Sequence, residues 1–310
     1  MTQFRVRVPA SSANLGPGFD SVALALDLVN ELEVEVTADG VNLTVEGEGQ
    51  SALPRDASNL IVRAALRLFR ELGAKPPGLR LRSNNRIPLG SGLGSSAAAI
   101  VAGLLTADAV VGARLARDEL LKIASDLEGH LDNPAAAIYG GLVLVGEGPL
   151  VCQVPIGDLQ VAVVVPNLDR PTIQMREALP PNVPLADAVF NLGRATMTVE
   201  ALRRADYALL SRAMDDRLHQ PYRIPSITGY EIARAAGLRA GAAGVALSGA
   251  GPGLIAFAPH GLTGIAEAIS LAFHAQGLSA RSFVLDPALE GAQIRLIDEP
   301  RLGAPSALGH

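Results

Sequence analysis

Apolar and charged residues alternate at the start of the chain, Phe4-Arg5-Val6-Arg7-Val8, the two-residue period of a strand with one buried face. Pro9 is expected to end that strand, and Ala10 to Asp20, rich in Ser, Asn, Gly and Pro, to form a loop. Strand-like runs over Glu31–Thr37 and Val41–Glu46 flank an Asp39-Gly40 turn signal. Leu60, Ala64, Leu68 and Leu72 fall at helical spacing and Gly73 stops the run, so Asn59 to Leu72 reads as a helix. Leu79–Arg82 is a short strand that leads through Ile87-Pro88-Leu89 into a glycine-rich turn. A long Ala-rich helix follows from Ser95 to about Val111, then a second from about Arg117 to Glu128. After the polar stretch Gly129–Asn133, Ala135–Tyr139 is helical, Gly140-Gly141 breaks it, and Leu142–Val145 is a strand.

From Gln160 the pattern restarts. Val161–Val165 is a fully apolar strand, Leu185–Ala201 and Tyr207–Leu218 are helices, and Tyr230–Ala236 is helical. Strands at Val245–Ser248 and Leu254–Ala258, a helix at Leu262–Gln276 and a strand at Ala280–Leu285 complete it. Strand, helices, two strands, helix, strand makes an α+β sandwich with helices on one face. Gly148-Pro149 and Pro155-Gly157 mark a linker, so residues 1–155 and 156–299 are read as two domains and 300–310 as a disordered tail.

Composition narrows what such a chain can do. Of 310 residues, 49% are apolar and 18% charged, which excludes bulk disorder. The longest apolar run, Ala97 to Ala107, is far short of the roughly 20 residues a membrane span needs. The opening MTQFRVRVPA lacks the apolar centre of a secretion signal, and a cytoplasmic location is expected. The lone Cys152 excludes an internal disulfide, and a net charge of −5 with 4% aromatics argues against nucleic acid.

The chemistry concentrates in PLGSGLGSSAAA, Pro88 to Ala99. Gly90, Gly92 and Gly94 permit positive φ and close approach of backbone to a ligand. Ser95 and Ser96 then open a helix whose free N–H groups point into the loop, an arrangement that binds phosphate. A Walker A loop would need a lysine before Ser95, and the dinucleotide fingerprint lacks an acidic partner at the end of a second strand. A glycine-rich turn that only caps a helix also fits; the two serines favour phosphate, because a hydroxyl there can also ligate the metal that accompanies ATP.

Three separated segments together resemble the GHMP kinase superfamily, and within it the homoserine kinases: VPASSANLGPGFDSVALAL (Val8–Leu26), IPLGSGLGSSAAAIVAGL (Ile87–Leu104) and ALSGAGPGLIAF (Ala246–Phe257). EGHLDN (Glu128–Asn133) and HQPYR (His219–Arg223) point the same way. The resemblance implies a ribosomal-protein-S5-like N-terminal domain and a ferredoxin-like C-terminal domain. It further implies ATP-dependent, Mg2+-assisted phosphorylation of the side-chain hydroxyl of L-homoserine, a step toward threonine, by a homodimer. Under it, Pro88, Leu89, Gly90, Ser91, Gly92, Leu93, Gly94, Ser95 and Ser96 would hold ATP, with Asn59 near the adenine.

Arg176 and Arg223 would take the substrate carboxylate, and Asn14 and Asp20 its other end. Asp20 and Asn133 would align the hydroxyl, and Ser96 with Glu128 would hold Mg2+, Asp126 being the alternative carboxylate. Each has a plainer alternative: a turn former for Asn14, a helix N-cap at Ser21 for Asp20, a surface ion pair for either arginine. His130 is read as structural rather than as a general base. Gly249, Gly251 and Gly253 form a loop beside the phosphates or an ordinary β-turn, and Ser58, next to Asn59, either contacts the adenine or caps the helix. The sequence departs from the family pattern at Leu131, at Pro134 and over Thr172–Met175. Rival functions are a related kinase acting on another alcohol such as mevalonate, a nicotinamide dehydrogenase, and a non-catalytic nucleotide-binding module.

Overall fold

A computed structural model describes residues 3–148, 150–168 and 172–297; the tail expected to be disordered lies outside them. The first half contains strands β1 (Gln3–Ala13), β2 (Val22–Thr37), β3 (Val41–Gly47) and β4 (Gly78–Asn85), with helix α1 (Leu60–Glu71) between the last two. Helices α2 (Ser95–Val111), α3 (Arg117–Glu128) and α4 (Asp132–Tyr139) and strands β5 (Leu142–Gly146) and β6 (Leu150–Val154) follow. The second half runs β7 (Val161–Pro166), α5 (Thr172–Glu177), α6 (Leu185–Arg204), α7 (Tyr207–Ala213) and α8 (Gln220–Arg223). It continues through a 3-10 turn at Ile224–Ser226 to α9 (Tyr230–Arg239), β8 (Gly244–Leu247), β9 (Leu254–Phe257), α10 (Leu262–His274), β10 (Ala280–Leu285) and β11 (Gln293–Leu296).

One sheet has the order β11-β1-β2-β4-β3, with β5 on the early part of β2 and β6 on β5. The other is β10-β7-β9-β8, antiparallel throughout; with α9 and α10 it follows the βαββαβ plan of a ferredoxin-like domain. The α+β class therefore holds, with the strands in two sheets. The first sheet buries Phe4, Val6, Val8, Leu32, Val34, Leu79 and Leu81, and helices α2 and α4 pack on it. Its other face is a ladder of opposite charges, Arg5 to Glu33 at 2.7 Å, Arg7 to Glu31 at 3.0 Å and Arg82 to Glu46 at 2.9 Å. Among the described residues no helix is long and apolar enough to cross a membrane.

Helix α2 is apolar on all sides and buried accordingly. Its closest neighbour is α1, capped by the Asn59 side chain, which accepts from the Ile61 N–H at 2.9 Å. Ser58 instead hydrogen-bonds Asp56, so the helix cap expected at Ser58 is corrected to Asn59.

Several local expectations are corrected. Pro9 does not end the first strand: β1 absorbs it with a register shift between Pro9 and Ala10 and continues to Ala13, so the loop is shorter than its composition suggests. Asp39-Gly40 closes no hairpin, because β4 lies between β2 and β3 and pairs with β3 in parallel. No helix starts at Ser21; the chain enters β2, which removes the cap alternative for Asp20. Helix α4 begins at Asp132, placing Asn133 in its first turn, and α7 stops at Ala213, short of Leu218. The short elements β6, α5, α8 and β11 had no clear periodicity. β11, drawn from the second stretch of sequence, pairs with β1 and completes the first sheet.

The α1–α2 contact tests the packing. A Cβ on Gly103 would stand 2.1 Å from the Ile61 carbonyl oxygen and 2.8 Å from the Ala64 Cβ. Gly103→Ala is expected to destabilise the protein by about 1–3 kcal/mol, seen as a lower urea midpoint at unchanged slope.

Candidate active site

The N-terminus of α2 opens into a cleft of about 540 Å³. Gly94 occupies the N-cap position with φ 67° and supplies no side chain, and the first turn carries no acidic residue. Its free N–H groups therefore present partial positive charge to the cleft. Three backbone segments meet there. The Ser11 N–H donates to the Leu93 carbonyl at 3.1 Å, the Gly253 N–H to the Ser91 carbonyl at 3.2 Å, and the Gly249 N–H to the Ala13 carbonyl at 3.1 Å. The Ser248 hydroxyl donates to the Gly92 carbonyl at 2.7 Å.

Glycine is required by this crowding as much as by φ. A Cβ would meet the Ser248 carbonyl oxygen at 2.0 Å from position 92, Ser11 Oγ at 2.1 Å from position 94, and the Ser91 carbonyl oxygen at 2.4 Å from position 253. At Gly90 (φ 59°) it would meet nothing within 4 Å, so that residue leaves open space beside the loop.

The acceptor end is built from the loop between β1 and β2. Asn14 (φ 71°), Leu15 (φ 45°) and Asp20 (φ 51°) all take the left-handed conformation, which costs a non-glycine residue of order 1 kcal/mol or more. The second half of the chain enforces it. Asn14 Nδ2 donates to the Gly249 carbonyl at 2.8 Å while its Oδ1 accepts the Asp20 N–H at 3.0 Å. Asn191 on α6 donates to the Pro17 carbonyl at 3.0 Å, and His219 Nε2 to the Gly16 carbonyl at 2.8 Å.

Two arginines converge on this loop. Arg176 grips the Asp20 carboxylate with both terminal nitrogens, at 3.0 and 2.9 Å, across the cleft wall. Arg223 is 1% exposed, donates from Nε to the Met175 carbonyl at 3.2 Å and from Nη1 to His219 Nδ1 at 3.1 Å, and sits 5.3 Å from the Phe19 ring centre. Among the described residues no carboxylate pairs with it. Burial, then the charge of Arg176, pushes its pKa down to about 10, so it remains a cation at neutral pH. A buried cation without an anion costs several kcal/mol, and this one lines the cleft, where a ligand carboxylate could supply the missing charge.

The opposite wall carries the acids. The Ser96 hydroxyl donates to the Glu128 carboxylate, at the mouth of the α2 N-terminus. His130 Nδ1 lies 2.7 Å from Asp132 Oδ1, with Glu128 3.6 Å from the other ring nitrogen. Burial opposes its charged form, but the hydrogen bond and charge of Asp132, with Glu128 beyond, outweigh burial and raise its pKa. Asn133 Nδ2 donates to Ser11 Oγ at 2.9 Å, and among the described residues nothing bonds its Oδ1. A hydroxyl and a carboxylate side by side suit a small hard cation that fills its remaining positions with phosphate and water. No cluster of three metal-ligating side chains occurs among the described residues.

One cleft thus brings together Asn14, Asp20, Asn59, Leu89 and the Gly90–Ser96 turn with Glu128, Asn133, Arg176, Arg223 and Gly249. Pro88 stays out of the lining; its carbonyl accepts the Ser91 hydroxyl at 2.7 Å. Asp126 is exposed and outside it; Gly251 and Gly253, also outside it, are buried behind the glycine turn. Ser11, Asn191 and the ring of His219 also shape the site, without a local sequence pattern that assigns them this role. The first and last lie inside quoted motifs; Asn191 sits mid-helix with no local signal.

The GHMP kinases N terminal domain matches residues 59–141 and the GHMP kinases C terminal domain residues 198–275. Homoserine kinase of Carboxydothermus hydrogenoformans is 40% identical over 290 residues, covering 93% of this chain and 95% of that protein. This chain belongs to the homoserine kinase family of GHMP kinases. The homoserine kinase of Caldanaerobacter subterraneus subsp. tengcongensis is 41% identical over 94% of this chain and 95% of its own. The crystal structure of homoserine kinase from Cytophaga hutchinsonii superposes with a TM-score of 0.86 at 30% identity, covering 95% of this chain and 98% of that one. A mevalonate kinase structure, at 14% identity and a TM-score of 0.69, shares the fold.

Two expectations follow from this geometry. Gly92→Ala would force the turn away from Ser248, and a loss of about 10²-fold in kcat/KM for the nucleotide is expected in steady-state kinetics. Burial holds the His219 pKa below its ordinary value, so below about pH 6.5 the unfolded chain binds a proton that the native state refuses. Wild type should therefore lose stability relative to His219→Gln as pH falls from 8 to 5, by at most about 1.4 kcal/mol per pH unit. His130 shifts the other way but is present in both proteins, and denaturant titrations of the pair cancel it.

Proposed function

We propose that this chain transfers the γ-phosphoryl group of ATP to the side-chain hydroxyl of L-homoserine, giving O-phospho-L-homoserine and ADP, a step toward threonine. The observation that carries this reading is that one cleft joins a helix N-terminus without a side-chain cap, suited to a polyphosphate, to a buried arginine that has no carboxylate partner among the described residues. The hydroxyl oxygen forms a bond to the γ-phosphorus as the bond from that phosphorus to the β-γ bridging oxygen breaks; ADP leaves with the bridging oxygen, and the hydroxyl proton passes to solvent water as the new ester forms. Little covalent chemistry falls to the protein, which positions the reactants and neutralises charge.

The glycine turn and the first N–H groups of α2 bind the phosphates. Ser96 and Glu128 are the groups that would hold Mg2+, which when bound neutralises charge on the β- and γ-phosphates. Asn59 and Leu89 line the nucleotide end. At the acceptor end Arg223 takes the substrate carboxylate. The substrate's ammonium and carboxylate can also replace the two halves of the Asp20–Arg176 pair, so a zwitterion opens that pair at the lowest cost. Asn14 holds the backbone of Asp20, and Asn133 presents Oδ1 to the hydroxyl. Functionally the chain divides near residues 155 and 156, with the cleft between the two parts.

A coupled ADP-release assay over a panel of alcohols tests this. Turnover with L-homoserine should exceed that with mevalonate or galactose by at least about 10²-fold. Comparable turnover with another alcohol would overturn the substrate, and nucleotide binding without turnover on any alcohol would overturn the enzyme. Asp20→Asn should lower kcat/KM for L-homoserine by roughly 10²-fold; near-wild-type turnover would remove Asp20 from the reaction.

A further inference from the structure

Among the described residues, Arg223 is the one arginine in the cleft with a histidine as a hydrogen-bond partner. His219 is completely buried and does not line the cleft, so it cannot touch the substrate. Its two nitrogens face partners of opposite kind. The Gly16 carbonyl, 2.8 Å from Nε2, can only accept, so Nε2 carries the proton. Arg223 Nη1, 3.1 Å from Nδ1, can only donate, so Nδ1 must be the lone-pair nitrogen. A single neutral tautomer satisfies both contacts, and a doubly protonated ring would set one N–H against another.

The ring also stacks on Phe19, with centroids 5.2 Å apart and planes 21° from parallel, while the Arg223 guanidinium lies over the same Phe19. Histidine, phenylalanine and arginine thus form a closed triangle whose corners belong to the acceptor loop, to α8 and to the N-cap position of α8. Asp216 fixes the histidine end from below: its carboxylate accepts the N–H groups of Leu218 at 2.9 Å, His219 at 3.1 Å and Gln220 at 2.6 Å.

We infer that His219 is a positioning residue that sets the specificity of the acceptor site: it ties the carboxylate-binding arginine to the loop carrying Asp20, fixing the spacing between the groups that read the two ends of the amino acid. Without the Nδ1 acceptor, Arg223 keeps Met175 and a 3.5 Å approach to Gly249 and is free to swing. The inference rests on the reading that Arg223 binds the substrate carboxylate.

Steady-state kinetics on the full chain separate these claims. His219→Phe keeps a ring and removes both hydrogen bonds; it should raise KM for L-homoserine about 10- to 100-fold, with KM for ATP within twofold of wild type. His219→Asn, whose amide oxygen reaches the former Nδ1 position, should recover most of that loss. Combined with Arg223→Ala, His219→Phe should cost nothing further, because the histidine acts through the arginine. If His219→Phe does not accumulate as folded protein, His219→Gln replaces it, since it keeps a donor for Gly16 and no acceptor at the Nδ1 position. An unchanged KM for L-homoserine, parallel shifts in both KM values, or a double variant with multiplied losses would each overturn the inference. Arg223→Ala with an unchanged KM for L-homoserine would overturn the carboxylate reading and the inference with it. A raised KM there beside an unaffected His219→Phe overturns the inference alone.

Discussion

Everything in the cleft depends on three backbone segments approaching one another at van der Waals distance around the start of α2. Ser91, Gly92 and Leu93 offer carbonyls to the other two segments, and the glycines at 92, 94 and 253 leave room for that contact. Because those carbonyls point away from the cleft into neighbouring backbone, the α2 N–H groups are left facing it. A turn stapled in this way cannot relax when a polyanion leaves, so the anion site is preorganised. The same staples join the first sheet to the second, and the nucleotide end and the acceptor end share one frame.

Charge in the cleft is divided rather than pooled. Among the described residues no carboxylate pairs with Arg223 and no side chain caps the α2 N–H groups, whereas Glu128, held by Ser96, adjoins the paired His130 and Asp132. Asp20 and Arg176 neutralise each other between them. Being about one-third exposed, that pair contributes little to stability. Its value lies in geometry, since it holds an opposite-charge couple in the place where a zwitterion presents another. Strain at Asn14, Leu15 and Asp20 serves the same end, turning the loop so that the Asp20 carboxylate faces Arg176.

The long elements were legible because their period and punctuation agree. Helices α2 and α3 run over the residues that composition and spacing indicate, since Gly94 and Gly112 bracket one and Gly129 closes the other. What escaped was decided by partners distant in sequence. Strand β1 continues past Pro9 because its pairing with β2 shifts register there, and β11 is a strand only because β1 offers it an edge. The site shows the same division. The anion turn is written in one local glycine pattern, whereas the acceptor end needs Asn191 to reach Pro17 and His219 to reach Gly16, across more than 170 and 200 residues respectively. No local window contains both partners.

That division bears on how such a site can change. The turn is locked at Gly92 and Gly94, where a single added methyl group would collide with the Ser248 carbonyl or the Ser11 hydroxyl, so those two positions tolerate almost no substitution. Arg176 and Arg223 instead arrive on α5 and α8, two short helices in the connection between β7 and α9, outside the four strands and two helices that define the second sheet's plan. A connection of that kind can be remodelled without disturbing strand pairing. Acceptor recognition is therefore the part of this architecture free to vary, and the phosphate grip the part that is not. The ties at His219 and Asn191 let a variable connection hold its arginines as firmly as a regular element would.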